Sequence, residues 1–240
     1  MLLCAVVLAA CGTSAGPEPT GTSGPSATVD EPVPNASTGS GRVLLWPFAD
    51  QAAVAAWQES YHSGGSQPWH LDAAATALGF TEGYLGFAGV DRVTSTELAP
   101  DEAWIGVGYA LPGDGREATA AVLHLVRVGA GQDAPWAVVG TRDSFLTIDT
   151  PAYGSAARWP LTVGGTITGV DESLHVRVLG LDGLAGEVCC VPAGGEKSPW
   201  SVEVPLGTTR AGDLTVVVAT GGHVADVERF AITAVTGGGR

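Results

Sequence analysis

The chain has 240 residues and a formal net charge of −14, because 25 acidic residues oppose 11 Lys and Arg residues. This balance argues against a nucleic-acid-binding protein, which needs a basic surface to neutralise phosphates. It also disfavours adhesion to anionic lipid headgroups. The length beyond residue 41 suits two small domains.

Residues 1–11 form a short apolar segment that ends in a cysteine. Residues 2–10 are long enough for the apolar region of a signal peptide and too short to span a bilayer. Leu8-Ala9-Ala10-Cys11 resembles the lipobox of bacterial lipoproteins, which is cleaved before a cysteine that carries the lipid. The resemblance implies lipid attachment at Cys11, a membrane partner through that lipid, and localisation at the extracytoplasmic face of the cell membrane.

The usual basic region before such a segment is missing, since the first Lys or Arg is Arg42. We therefore expect the true translation start to lie upstream. The alternative is a chance apolar start on a cytosolic protein. Residues 12–41 favour the lipoprotein, because 21 of these 30 residues are Gly, Pro, Ser or Thr. Such a segment cannot bury enough apolar area to order itself, which predicts a disordered tether.

Residues 42–149 are predicted to form an α+β domain. Asp50 is a plausible N-cap for a helix over Gln51–His62, with Val54, Trp57 and Tyr61 on one face. A second helix is predicted over residues 71–80, with one apolar side formed by Leu71, Ala74, Ala75 and Leu78.

Five strands are predicted after the helices: Arg92–Glu97, Trp104–Leu111, Thr119–Val128, Trp136–Gly140 and Phe145–Ile148. Helices followed by an antiparallel meander indicate α+β rather than α/β. The order of elements is similar to the small cone-shaped folds of the nuclear transport factor 2 (NTF2) or cystatin type. That likeness implies a pocket between a curved sheet and its helices.

Residues 150–236 show the pattern of an all-β sandwich, followed by a flexible tail at 237–240. Apolar residues alternate in Ser173–Val178 and in Trp200–Val204, which is typical of strands with one buried face. Leu214–Ala219 has apolar residues on both faces of a strand, which favours a central strand, and Phe230–Ala234 closes the series. Turn signals separate these runs at Gly164-Gly165, Asp182-Gly183, Gly194-Gly195 and Gly221-Gly222. About seven short strands are predicted.

This module resembles the immunoglobulin-like domain of bacterial spore germination proteins, called Gmad2. The matching positions are Pro151, Gly154, Trp159-Pro160-Leu161-Thr162-Val163, Gly165, Glu172, Val176, Val178, Asp182-Gly183, Pro199-Trp200, Gly212 and Leu214. Asp171 stands where the family usually has an aromatic residue, and Gly221-Gly222-His223 where a Lys-Asp-Gly is common. The resemblance implies a β-sandwich that serves as an interaction or spacing module, without a catalytic residue.

The chain has four cysteines. Cys4 would be removed with the signal peptide and Cys11 would carry the lipid, so Cys189 and Cys190 are the two that remain for the folded part. Neighbouring side chains on a strand point to opposite faces, so we expect one thiol in the core and one outside. A vicinal disulfide acting as a redox switch, a metal-binding pair and intermolecular pairing are the alternatives.

Motifs for nucleophilic, metal or phosphate chemistry are absent from the sequence, including Gly-x-Ser-x-Gly, His-Glu-x-x-His and the P-loop. His70 and Asp72 flank the start of the second helix. They are either an acid/base pair at a pocket mouth or an exposed histidine and a helix cap. His124 is interpreted as a satisfied or edge histidine, and His175 as solvent-exposed.

Three further groups have a functional and a structural interpretation. His223 near Asp226 is either a ligand in a glycine-rich turn or a plain turn residue. Asp171, Glu172 and Asp182 are either calcium ligands or solvated acidic residues. The seven Trp are interpreted as core and strand-end residues rather than a sugar-binding stripe.

The sequence therefore predicts a lipid-anchored, extracytoplasmic, non-catalytic binding or spacing module with a protein partner at the cell envelope. No cofactor, metal or catalytic residue is predicted, and the ligand-binding residues are unknown. The alternative is a small-molecule receptor or enzyme with a pocket in the α+β domain, where His70 and Asp72 are the first candidates.

Overall fold

The computed structural model describes residues 41–237, except residues 66, 114, 206 and 208–211 and the side chain of Asp171. The predicted signal segment, Cys11, residues 12–40 of the tether and residues 238–240 lie outside the described residues. Within the described part, no helix is both long and apolar enough to cross a membrane.

Helix α1 spans Gln51–His62, as predicted, and it begins where Asp50 caps it. The Asp50 carboxylate accepts a hydrogen bond from the Ala53 N–H at 2.8 Å. Val54 is buried on the predicted face, and Trp57 and Tyr61 are half-buried there.

The second helical segment is irregular. A 3₁₀ turn at Pro68–Leu71 leads into α2 at Ala73–Leu78, which continues as a π-helix at Gly79–Tyr84. The predicted apolar side is wrong, because the break at Asp72 changes the phase of the helix. The buried face is instead formed by Ala73, Thr76, Ala77 and Phe80.

Four strands form the first antiparallel sheet, in the order β1-β2-β3-β4. They are β1 (Arg92–Leu98), β2 (Glu102–Ala110), β3 (Glu117–Arg127) and β4 (Trp136–Thr141). The strand predicted at Phe145–Ile148 is reduced to an isolated bridge between Leu146 and Ile167. Helix α1 packs on one face of this sheet, through Val54, and α2 packs on the other, through Ala77.

The second sheet has five strands in the order β5-β9-β8-β6-β7. They are β5 (Ser155–Ala156), β6 (Leu161–Gly180), β7 (Gly183–Val204), β8 (Asp213–Thr220) and β9 (Arg229–Thr236). All pairs are antiparallel except the short parallel contact between β5 and β9.

Strands β6 and β7 contain 20 and 22 residues, so the prediction of about seven short strands is wrong here. The predicted turn at Asp182-Gly183 is confirmed, since Gly180 pairs with Gly183 around it. Gly164-Gly165 and Gly194-Gly195 lie inside the strands instead. A register shift near Gly195 breaks the ladder there without ending the strand, so the hairpin curls and its two ends pack into one cluster.

The largest hydrophobic cluster joins residues from both predicted domains. From the first sheet and its helices it includes Phe80, Ile105 and Leu125, and from the second sheet it includes Phe230 and Ile232. The ring of Phe87 meets that of Phe230 edge-on, with centroids 5.3 Å apart. Residues 42–149 and 150–236 therefore share a core.

Buried hydrogen bonds support the same junction. The Arg177 guanidinium donates to the Leu85 carbonyl at 2.8 Å, and its Cζ lies 4.9 Å from the Phe87 ring centroid. Burial lowers the pKa of Arg177. The Thr141 hydroxyl accepts a hydrogen bond from the Ile232 N–H at 3.0 Å. These contacts fix the orientation of β6 and β9 against the first sheet.

Replacing Phe230 with Ala should lower the free energy of unfolding by about 3–5 kcal/mol, because a fully buried aromatic side chain leaves a cavity. Urea unfolding followed by tryptophan fluorescence and by circular dichroism should give one shared transition that moves as a whole. Val170→Ala is the control, since Val170 is 78% exposed and the change should stay within about 0.5 kcal/mol. Two transitions, of which only one moves, would contradict the shared core.

Candidate functional site

A cleft of about 380 Å³ opens where the two sheets meet the loop after β4. Its lining residues are Thr119, Ala121, Val122, Arg142, Asp143, Ser144, Phe145 and Arg229. Strand β3 contributes the first three residues, the loop the next four, and β9 begins with Arg229. The cleft therefore combines two guanidinium groups with apolar surface and hydroxyl groups.

Arg142 is held in place by contacts along its whole length. Its N–H donates to the Val122 carbonyl at 2.9 Å. Its guanidinium lies 5.3 Å from the Trp104 ring centroid and donates to the Glu97 carboxylate at 2.9 Å. The side chain is 57% exposed, so the pair with Glu97 is screened by solvent and leaves donor groups of Arg142 for a ligand.

Arg229 lies on the other side of the cleft, with its Cζ 4.4 Å from the centroid of the Phe145 ring. Among the described residues, no carboxylate lies within ion-pair distance of it. Phe145 is 47% exposed. Its N–H donates to the Asp143 carboxylate at 2.7 Å, which fixes the loop that carries the ring. Arg229 and Phe145 therefore present a cation beside an open aromatic surface.

A row of stacked and charged side chains continues from the cleft across the sheet. The rings of Trp104 and His124 are nearly parallel, with centroids 5.0 Å apart. Glu102 lies 3.5 Å from both His124 and Arg42. Burial, with the charge of Arg42, lowers the pKa of His124, and Glu102 opposes that effect only in part. His124 is thus a buried histidine that supports Trp104 under Arg142.

The cleft suits an anionic group attached to an apolar one. Guanidinium groups bind carboxylates and phosphates through paired hydrogen bonds. The Thr119 hydroxyl, which lies 2.7 Å from that of Thr94, adds a polar group at the floor. The lining also includes the Asp143 carboxylate, which accepts the Phe145 N–H, so the cations outnumber the anion in a cleft of a chain whose net charge is −14.

Sequence reasoning did not identify Arg142, Phe145 or Arg229 as functional residues. The available signal is Arg142-Asp143-Ser144-Phe145, a polar loop that ends in an aromatic residue after a strand. Arg229 comes close to this loop because β9 packs against the first sheet, and a single sequence does not reveal that packing.

His70 and Asp72 do not form a pair at a pocket mouth. Asp72 is a helix cap, whose carboxylate accepts hydrogen bonds from the N–H groups of Ala74 and Ala75 at 2.8 and 2.9 Å. His70 is buried, with 3% of its surface exposed, so its interpretation as an exposed histidine is wrong. Neither residue lines the cleft.

His70 lies among the rings of Trp46, Phe48, Trp57 and Trp69. Its Nε2 lies 3.2 Å from the Gln67 amide oxygen. Burial among these rings lowers the pKa of His70 to about 4. The histidine is therefore neutral at physiological pH and belongs to an aromatic core beneath α1. All seven Trp residues are buried or half-buried, which agrees with the prediction that they are core and strand-end residues.

The turn before β9 is closed by a carboxylate that the sequence did not point to. Glu228 accepts hydrogen bonds from the N–H groups of His223 and Val224 at 2.7 and 2.6 Å, and more weakly from Ala225. Burial acts to raise the pKa of Glu228, but these hydrogen bonds outweigh it and lower the pKa. The structure thus gives the turn that holds His223 and Asp226 a structural role.

The predicted calcium ligands do not converge. Glu172 lies within β6, whereas Asp182 lies in the hairpin turn about 30 Å along the strand. The side chain of Asp171 is outside the described part. Among the described residues, no cluster of three or more His, Cys, Asp or Glu side chains is arranged to hold a metal ion.

Cys189 and Cys190 form a disulfide with each other, and both residues are exposed. The prediction of one buried and one exposed thiol is wrong, because β7 bulges at this point and does not keep its alternation. His175 is exposed, as predicted, and its Nε2 lies 3.3 Å from the Glu187 carboxylate.

No family model, no curated protein and no solved structure matches the chain.

Lowering the pH from 6.5 to 4 should destabilise the protein through His70. Over this range the unfolded chain binds a proton at His70 that the folded chain does not, since the pKa falls from 6.5 to about 4 on folding. The loss should reach about 3 kcal/mol and level off below pH 4. Urea unfolding at several pH values should show a steeper loss of stability in the parent protein than in His70→Phe, which keeps only the loss due to other groups such as His124 and Glu228. A His62→Gln control, at an exposed histidine, should keep the full pH dependence; an equally steep loss in His70→Phe would contradict the assignment.

Proposed function

We propose that the protein is a lipid-anchored, non-catalytic binding protein at the extracytoplasmic face of a bacterial cell envelope. Its lipid on Cys11 and the tether at 12–41 hold the folded part near the membrane. The folded part binds a protein partner through the cleft between Arg142 and Arg229, and the partner supplies a carboxylate beside an apolar side chain.

The anchor is supported by Leu8-Ala9-Ala10-Cys11 and by the Gly, Pro, Ser and Thr content of the segment that follows. A tether of this composition has a mean reach of about 30 Å if flexible. The resemblance to Gmad2 supports an immunoglobulin-like sandwich for residues 150–236, used for interaction or spacing. The curled β6–β7 hairpin, with one hydrophobic cluster between its two ends, is compatible with that architecture.

The cleft is the observation that carries the binding proposal. A partner segment with a Glu or Asp next to an aromatic or aliphatic residue can place its carboxylate between the two guanidinium groups. The neighbouring side chain then packs on Phe145, which is 47% exposed. Arginine and aromatic residues are the types enriched where binding energy concentrates.

A photoreactive amino acid at Ser144, on the cleft wall, should cross-link the partner in intact cells. The Arg229→Gln change should remove that adduct, since it deletes a charge and keeps a similar size. Arg127→Gln is the matched control, because Arg127 also stacks on an aromatic ring, that of Trp136 at 4.8 Å, but lies outside the cleft. The adduct should survive this control. A second protein carries the photoreactive amino acid at Glu59, an exposed position on α1. Equal amounts of adduct from the two positions, or recovery of the protein without any cross-linked partner, would contradict the proposal.

The cleft volume also favours a second candidate, a receptor for a small anionic molecule. About 380 Å³ lies within the range of small-molecule pockets. The aromatic carboxylate phenylacetate is a direct probe. In the receptor case it raises the melting temperature of the parent and of Arg127→Gln, and not of Arg229→Gln. If all three proteins respond alike, the receptor is excluded at this site.

The Cys11→Ala variant should leave the membrane fraction, because the folded part carries net negative charge and the lipid alone attaches it. Fractionation with immunoblotting measures this, with Cys4→Ala as the control that keeps the lipid. A Cys11→Ala protein that still sediments with membranes would contradict lipid anchoring and leave the cleft unaffected.

A further inference from the structure

The disulfide between Cys189 and Cys190 lies on the rim of the second sheet. Strand β7 is an edge strand, and among the described strands it pairs with β6 alone. Both cysteines are exposed, whereas the flanking Val188 and Val191 are half-buried and pack on the core. A reagent in solution therefore reaches the sulfur atoms without unfolding the strand.

The two cysteines form a bulge opposite a histidine. Leu174 of β6 pairs with Val191 of β7, and Val176 pairs with Val188, so both cysteines stand across from His175. Cys190 has φ of 66°, a backbone region that residues with a side chain rarely adopt. The bulge and the disulfide thus form one local structure, and opening the bond would free Cys190 to change its conformation.

His175 stands across the ladder from the two cysteines and, like them, is exposed to solvent. Its Nε2 lies 3.3 Å from the Glu187 carboxylate, and both side chains are about half exposed. Glu187 precedes Cys189 by two residues on the same strand. A histidine oriented by a carboxylate can pass a proton to a leaving thiolate, and a positive charge beside it stabilises the thiolate.

The reductant has to come from another molecule. The only other cysteines of the chain are Cys4 and Cys11, and Cys11 is the proposed lipid site. We propose that the Cys189–Cys190 disulfide is a thiol–disulfide exchange site that accepts two electrons from a dithiol of another protein. This function is independent of the arginine cleft.

The exchange proceeds in two steps. A thiolate of the dithiol attacks one sulfur atom, which breaks the Cys189–Cys190 bond and forms a mixed disulfide between the two proteins. The released cysteine thiolate takes a proton from His175 or from water. The second thiol of the partner, as thiolate, then attacks the partner's own sulfur atom in the mixed disulfide. That bond breaks and releases the second cysteine as a thiolate, which takes a proton from water. The partner leaves as a disulfide, and Cys189 and Cys190 remain as two thiols.

The test uses the full chain with Cys4→Ala and Cys11→Ala, so that the pair supplies the only thiols. The protein is purified in air and titrated without denaturant against dithiothreitol, a dithiol, or glutathione, a monothiol. Quenching with iodoacetamide and peptide mass spectrometry count the alkylated cysteines. We expect dithiothreitol to convert the pair to two alkylated cysteines at a lower thiol concentration than glutathione. The melting transition should show that the fold is retained.

Two results would overturn the proposal: two free thiols in the air-purified protein, or a disulfide that opens only after urea unfolds the chain. Cys190→Ser and Cys189→Ser each leave one thiol, and at least one of them should form a mixed disulfide with oxidised glutathione while folded. His175→Gln should slow the reduction several-fold at an unchanged end point and melting temperature. A change in melting temperature with no change in rate would assign His175 a structural role only.

Discussion

Strand β8 buries both of its faces, and the rest of the fold depends on that constraint. Leu214, Val216 and Val218 enter the cluster inside the curled β6–β7 hairpin. Val217 and Ala219, on the opposite face, enter the cluster shared with the first sheet. A strand between two cores is apolar on both faces, which is why Leu214–Ala219 shows no alternation. The polar residue of this run, Thr215, is buried and its hydroxyl accepts a hydrogen bond from the Tyr84 hydroxyl at 3.2 Å. Strand β8 thus lies between the two hydrophobic clusters.

The position of the candidate site follows from this arrangement. Packing β9 against the first sheet brings Arg229, at the start of β9, to the loop that follows β4. The Thr141 hydroxyl, which hydrogen-bonds the Ile232 backbone, fixes how far the loop stands from the strand. The cleft therefore belongs to neither predicted domain alone. Its two cations come from opposite sides of the boundary at residue 150.

The sequence predicts elements whose signals are local. The cap at Asp50, the burial of Val54, the hairpin turn at Asp182-Gly183 and the burial of β8 depend on neighbours along the chain. The features it missed depend on contacts between distant segments. Gly164-Gly165 and Gly194-Gly195 resemble turns, yet long-range pairing keeps both inside strands.

The candidate site also depends on contacts between distant segments, so the sequence alone does not reveal it. Arg142 and Arg229 are 87 positions apart in the chain. A histidine beside a helix cap is usually exposed, which is what the sequence predicts for His70, whereas the surrounding rings of Trp57 and Trp69 bury it. The cysteine pair was misjudged because a bulge, which changes the side-chain alternation, has no clear signature in Val188–Val191.

The sharing of the large core has a consequence for synthesis. Phe230 and Ile232 follow the first sheet by about 90 residues in the chain, yet they complete the core around Val43 and Leu45. While the chain is being made, helix α2 can cover part of the apolar face of the first sheet, but the part that contacts β9 stays uncovered until β9 has left the ribosome. The packing of the first sheet is thus completed only after β9 has been synthesised.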